Sequence, residues 1–178
     1  MKVRILVAAA GAFSRAGYDA VGVREIATLA DTDAAIVIRL FGSKAELFAT
    51  LADSAFGAED VFVGPLESLG MRLASHLMSP MDAPDDGNEV NDFLLLLRSA
   101  TSLTAAPILS AALHRALIGP LGQRIGSPDG AARAALITAQ VLGFATLRFA
   151  LGCPPIEDAD MHRMTERLAG LIQHSVDA

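Results

Sequence analysis

An all-α fold is predicted by three observations. Apolar residues recur at helical spacing along most of the chain, no run alternates apolar and polar residues in strand fashion, and helix boundaries are marked by residues suited to caps and stops. The first helix is expected from Lys2 to Ala16, with Leu6, Ala9, Ala10 and Phe13 as its apolar stripe. Gly17 ends it at a position suited to positive φ. A short helix from Val23 to Ala30 follows, with Gly22 at its N-cap, where glycine is tolerated but supplies no hydroxyl. Asp31-Thr32-Asp33 reads as a tight turn, Asp33 as the N-cap of a third helix over Ala34 to Leu40, and Gly42-Ser43 as the cap of a fourth beginning near Lys44 and running to about Phe56. Two short helices joined by such a turn make a helix-turn-helix, the arrangement that presents its second helix to a DNA major groove.

Gly57 and Gly64-Pro65 punctuate the next stretch. A helix from about Pro65 to Met78 carries Leu66, Leu69, Leu73 and Leu77, and Ser79 to Asn88 reads as an acidic, proline-containing loop. Val90 to Leu103 is expected to be a central helix, because Phe93 to Leu97 is apolar on every side and must be surrounded by protein. Another helical stretch covers Pro107 to about Leu121. Ser127-Pro128-Asp129 combines an N-cap, a first-turn proline and an acid favoured by the helix dipole. The helix it starts runs to Leu151, stops at Gly152 and is roughly 35 Å long at 1.5 Å per residue. The last helix spans about Asp160 to Val176.

Composition narrows the function classes. The chain has 178 residues, 52% of them hydrophobic, with a mean hydropathy of +0.43. The longest uncharged runs, Ala134–Leu147 and Ser99–Leu113, are shorter than the roughly 20 apolar residues a bilayer span needs. The excess apolar surface is therefore assigned to a core, a pocket or a subunit interface, and no membrane partner is expected. Met1 leads straight into an amphipathic helix rather than a secretory leader, and a lone Cys153 fits a reducing cytoplasm. The net charge is −6, but residues 1–52 carry six Lys/Arg against five Asp/Glu, so the N-terminal piece is relatively basic. Phosphate contacts set much of the affinity for DNA, so modest, salt-sensitive binding is expected. The four histidines (His76, His114, His162, His174) lack metal-ligand spacing, and no phosphate-cradling glycine motif or GxSxG occurs. No cofactor, metal site or enzyme activity is expected.

The run from Arg4 to Phe48 resembles the N-terminal DNA-binding domain of TetR-family transcriptional regulators. Ile5, Leu6, Ala8, Ala9, Phe13, Gly17, Tyr18, Val23, Arg24, Ile26, Ala27, Ala30, Phe41, Ser43, Lys44 and Leu47 carry the likeness, over about a quarter of the chain. It implies a DNA-binding domain over residues 1–48 and an α-helical ligand-binding and dimerisation domain over 49–178. It also implies a double-stranded DNA operator, a small-molecule effector and a second copy of the chain as partners. By the resemblance, Arg24 reaches a base edge or phosphate, Lys44 clamps a phosphate with help from the backbone at Ser43, and Lys2 and Arg4 approach the DNA backbone. Ala34, Ala35, Ile36, Ile38 and Arg39 present the recognition helix. That helix departs from the family pattern. It has alanine at 34, isoleucine at 38 and leucine at 40 where family members often carry a basic or polar residue, an aromatic and a histidine. Apart from Arg39 it offers the groove apolar groups, suited to thymine methyls. The alternative reading of Arg24 is a surface partner of Asp31 or Glu25, and of the whole head a helix-turn-helix retained for packing alone.

The C-terminal body echoes the same family in plan and in the stretches Leu96–Ala100 and Leu142–Gly152. Independently of it, Ala131, Ala135, Ala139 and Gly143 recur every four residues and form a small-residue ridge that lets another helix approach closely. Met161, Met164, Leu168, Leu171 and Ser175, with Ile172 and Val176 alongside, follow 3-4 spacing on the last helix. Two such helices from each subunit would build a four-helix dimer interface; the alternative is that both stripes pack within one chain. Arg98 follows five apolar residues, and a charge there needs either an acidic partner or the polar head of a ligand. Met71, Phe93, Leu97, His114, Phe144 and Arg148 are the other candidates for lining an effector site. The expectation is a regulator, in the repressor sense, released by a small and largely apolar ligand. The competing reading is an α-helical ligand-binding dimer whose DNA head has degenerated.

Overall fold

The computed structural model describes residues 1–55, 63–79 and 92–178. Phe56, Gly57, residues 80–88 of the expected acidic loop, and Val90 and Asn91 of the expected central helix lie outside the described residues. Among the described residues there is no strand. The helices are α1 (Lys2–Ala16), α2 (Val23–Leu29), α3 (Ala34–Phe41), α4 (Lys44–Ala55), α5 (Leu69–Met78), α6 (Asp92–Ser99), α7 (Ala105–Leu113), α8 (Gly119–Ile125), α9 (Gly130–Ala145), α10 (Pro154–Glu157) and α11 (Met161–Asp177). A 3-10 turn, Leu66–Ser68, leads into α5.

The four N-terminal helices start where the sequence places them. Later boundaries differ: α5 begins at Leu69 rather than Pro65, after the 3-10 turn, and the short α10 forms where no helix is expected. α6 stops at Ser99 rather than Leu103, because Ser102 turns its hydroxyl to the start of α7 and accepts from the Ala105 N–H at 3.1 Å. The expected helix from Pro107 to Leu121 is part of a longer run that changes winding, from α7 through a π segment, His114–Ile118, into α8. α9 begins at Gly130 with Asp129 at its N-cap, not at Pro128 with Ser127 as cap, because the Ser127 hydroxyl donates to the Asp129 carboxylate (2.7 Å) instead of capping a helix N–H. That bond is the first cause of a lowered Asp129 pKa. A second π segment, Thr146–Ala150, extends α9.

The described residues fall into two compact units. The first holds residues 1–55 and 92–113, so α6 and α7 belong with the helix-turn-helix head. Its centre is an aromatic cluster. Phe13 stacks on Tyr18 with centroids 5.8 Å apart, and Phe48 meets both rings edge-on at 5.1 and 5.0 Å. Ile5, Ile26, Val37 and Leu47 close around it, and Leu95, Ala105, Leu109 and Ala112 from α6 and α7 complete the same core.

The second unit holds residues 63–79 and 114–178. In it α11 lies along α5, so closely at Gly70 that an added Cβ would sit 2.3 Å from the Ala169 carbonyl oxygen. Leu69, Leu73, Ile137, Leu168 and Ile172 fill the space between α5, α9 and α11. Gly130–Ala150 is a 21-residue helical stretch with a hydropathy of 1.3, enough by length and composition to cross a bilayer. It is longer than the uncharged run Ala134–Leu147 because the helix continues past Arg133 on one side and Arg148 on the other.

Candidate nucleic-acid interface and effector region

The head is held together by polar contacts that aim α2 and α3. Gly22, in extended conformation, starts α2 without a side-chain cap. Asp31 takes a left-handed conformation (φ 48°) in the turn, and the Arg4 guanidinium donates to its carbonyl at 3.1 Å, tying α1 to the turn. Asp33 caps α3 as the sequence predicts, its carboxylate accepting from the Ala35 N–H at 2.7 Å. Ser43 caps the start of α4, its hydroxyl accepting from the Glu46 N–H at 3.1 Å.

On α3, Val37 is buried and Ala34, Leu40 and Phe41 pack towards the core, while Ile36 is half-buried. Ala35, Ile38 and Arg39 point outward and are exposed, and Arg24 is exposed on the first turn of α2. Among the described residues, neither Asp31 nor Glu25 forms an ion pair with Arg24, so the surface-partner reading of this arginine finds no support. The outward set thus combines two free guanidinium groups with small and branched apolar side chains.

Lys44 is placed differently from the sequence-based expectation. Its ammonium donates to the carbonyls of Tyr18 and Val21, both at 3.0 Å, and lies 4.1 Å from the centre of the Tyr18 ring. A lysine at a positive helix end needs a compensating partner. Here two carbonyl oxygens and a ring face supply it inside the head, so the position does not by itself require a phosphate. Burial, with the nearby Asp19 charge second, raises the Tyr18 pKa.

The candidate effector residues are distributed over the two units. Phe93 and Leu97 are half-buried on α6, and Arg98 is exposed at its end, all in the first unit. Met71 and His114 are exposed and Phe144 and Arg148 half-buried in the second. A shallow cleft of about 390 Å³ opens instead on the head, lined by α1 residues such as Val3, Val7 and Gly11 and by Leu29 and Asp31.

Three arginines, one in the first unit and two in the second, find partners that the sequence does not reveal. Arg98 donates to the Arg15 carbonyl at the end of α1. Arg148 donates to the Leu77 carbonyl, and to that of Ser79 at 3.3 Å, at the end of α5. Arg133, which is buried, donates to the Ser175 carbonyl at 3.0 Å and to that of Val176 at the end of α11. Each guanidinium covers the unpaired carbonyls and negative dipole end of another helix. The partner expected for Arg98 was an acid or a ligand; the structure provides a helix terminus.

The proposed dimer residues divide. Ala135, Ala139 and Gly143 are exposed along α9, beside Leu136 at 59% exposure, and Leu171 is 64% exposed on α11. Leu168 and Ile172 are buried and Met164 half-buried, so the first two serve the core of their own unit.

Residues 67–176 match the family model described as the tetracyclin repressor-like C-terminal domain, and residues 5–51 match that of bacterial regulatory proteins of the tetR family. The chain belongs to the TetR family. Its members are DNA-binding transcriptional regulators, and so is this protein; they bind DNA and small-molecule effectors, generally as dimers. Solved structures agree in fold. NalD of Pseudomonas aeruginosa, the secondary repressor of the MexAB-OprM multidrug efflux pump, is 18% identical with a TM-score of 0.66 over 94% of this chain and 93% of its own. A transcriptional regulator from Rhodococcus sp. Rha1 is 24% identical with a TM-score of 0.62, covering 100% and 98%. A TetR-family regulator from Streptomyces coelicolor A3 is 22% identical with a TM-score of 0.59, covering 99% and 94%. No curated protein matches in sequence. In this chain the second helix of the helix-turn-helix is α3, and its solvent-facing groups are Ala35, Ile38 and Arg39.

Proposed function

We propose that the protein is a dimeric repressor that binds a double-stranded operator through α2 and α3 and leaves it when a small, largely apolar effector binds the helical body. The observation that carries the DNA reading is the uncovered face of α2–α3. Arg24 is exposed on α2, and Ala35, Ile38 and Arg39 are exposed on α3, whose orientation is fixed by the Asp33 cap and by Val37 in the core. Arg24 and Arg39 supply charge to phosphates or a fork to guanine, and Ile38 and Ala35 supply apolar contact to thymine methyls. Ser43 and the start of α4 offer a backbone N–H to a phosphate. Lys44 contributes mainly by bracing the loop before α2. Two copies are required because paired recognition helices must reach half-sites about one helical turn, or a multiple, apart. The exposed ridge Ala135, Ala139 and Gly143, with Leu136 and Leu171, is the surface that supports pairing. The retention of the protein in the cytoplasm and the repressor sense of its action follow the same reading. Phe93, Leu97 and Phe144, half-buried and apolar, remain the residues with which an effector would be met.

The test is a fluorescence-anisotropy titration of the protein against the duplex upstream of its own gene at low salt, with mass by light scattering. A rise in anisotropy on binding by a dimer, abolished as salt rises, is the expected result. A folded dimer that binds no DNA at low salt would favour the ligand-binding protein with a degenerate head, a reading for which the apolar surface of α3 is the specific support.

A further inference from the structure

We propose that the end of α6 is a positioning device for the DNA-reading helices, acting on the loop that precedes α2, so that Arg98, Ser99 and Ser102 set DNA affinity without touching DNA. The proposal rests on the DNA-binding reading above and adds residues outside the helix-turn-helix to it.

The loop between α1 and α2 is gripped from two sides. From one side Lys44 holds the carbonyls of Tyr18 and Val21. From the other, four contacts come from α6 and the turn after it. The Arg98 guanidinium donates to the Arg15 carbonyl, and the Arg98 backbone lies against Gly17, where an added Cβ would be 2.5 Å from the Arg98 carbonyl oxygen. Ser99, fully buried, accepts the Tyr18 N–H on its hydroxyl at 3.1 Å. Ser102 donates to the Asp19 carboxylate at 2.9 Å. Gly17 also has φ of 77°, so neither the conformation nor the space at this contact admits another residue without strain.

Three residues beyond Asp19 stands Gly22, the N-cap of α2, which supplies no side-chain hydrogen bond of its own. α2 has only seven residues, too few to hold a direction by itself. Its entry is therefore dictated by the loop, and the loop by α6 and Lys44. Loss of these contacts leaves the buried Tyr18 N–H without its acceptor and Gly17 without its packing surface, which loosens the loop that sets the start of α2. Ser102 couples the same point to α7, because its hydroxyl also caps that helix.

The experiment compares full-length wild type with Asp19→Ala, Asp19→Asn, Ser99→Ala and Ser99→Thr, titrating each against the upstream duplex well below its own unfolding temperature. Asp19→Asn removes the charge and keeps an acceptor for Ser102; Asp19→Ala removes both. The expected result is that Asp19→Ala binds about fivefold more weakly than Asp19→Asn, and Ser99→Ala about fivefold to tenfold more weakly than wild type, the scale of one lost hydrogen bond. Ser99→Thr restores most of the affinity. Amide hydrogen exchange over residues 18–23 accelerates in the two alanine variants with no DNA present. Equal affinities within the Asp19 pair overturn the proposal, as does a fall in unfolding temperature with affinity and exchange over 18–23 unchanged. Should Ser99→Ala not fold, the Asp19 pair still decides. Wild type that fails to bind any duplex overturns the DNA-binding reading itself, a result distinct from these.

Discussion

α3 and α9 both leave apolar side chains in solvent, yet they are built for different partners. α3 is eight residues long and carries Arg39 on its exposed face, and α2 before it exposes Arg24, so the exposed groups of the helix-turn-helix include both apolar side chains and guanidinium groups. α9 with its π extension is 21 residues long and exposes Ala135, Leu136, Ala139, Gly143 and Leu147, a ridge with no charge in its middle. A short face mixed with guanidinium groups suits a polyanion with methyl groups in its groove. A long smooth face suits a second helix of the same kind, because small residues let backbones approach and a twofold axis pairs the ridge with itself. The two faces are also fixed by different means: α3 by a carboxylate cap at its start, α9 by a buried arginine that binds the end of α11.

The strongest way to break this contrast is Leu136→Glu. If α9 pairs with its copy, two carboxylates are buried per dimer, and the dissociation constant should rise by at least about a hundredfold, on the order of 3 kcal/mol. Light scattering across a dilution series reads this, and an unchanged mass would remove α9 from the interface. Next in size is Arg133→Ala, which leaves the α11 carbonyls unpaired and should cost about 2–3 kcal/mol in urea unfolding with DNA affinity of the folded dimer intact. Arg24→Ala and Arg39→Ala should do the reverse. Each is expected to weaken DNA binding about tenfold with no change in unfolding temperature. A uniform loss across sequences with a salt slope lower by about one would mark a phosphate contact, and relaxed base preference a guanine contact. Asp33→Ala removes the α3 cap and should lower stability by about 1 kcal/mol. The smallest effect concerns Tyr18. Because its folded pKa is raised, its contribution is complete below the ordinary tyrosine range and lost as pH rises through the raised value. Wild type should therefore lose slightly more stability than Tyr18→Phe above about pH 10 in denaturant titrations.

The legible parts of the site were those encoded over a few residues. Asp33 as a cap, Gly17 at positive φ and the inward turn of Val37 and Phe41 all follow from spacing within one or two helical turns. Lys44 was legible as a functional candidate but its internal partners were not, since Tyr18 and Val21 reach it only after α1 and α4 have packed. Arg98, Arg133 and Arg148 were illegible for the same reason: their partners are backbone carbonyls at the ends of helices 42 to 83 residues away, and a carbonyl leaves no mark in the sequence.

Local chemistry alone determined the all-α class, the start of each N-terminal helix and the outward-facing groups of α3, because helical periodicity and capping depend on neighbours within four residues. Only packing decided that α6 and α7 share a core with the head, that Leu168 and Ile172 face inward while Leu171 faces out, and which helix end each arginine covers. A helix stripe says that a face must be buried; it does not say against what, since apolar contact is non-directional and the choice among surfaces is made by the whole chain.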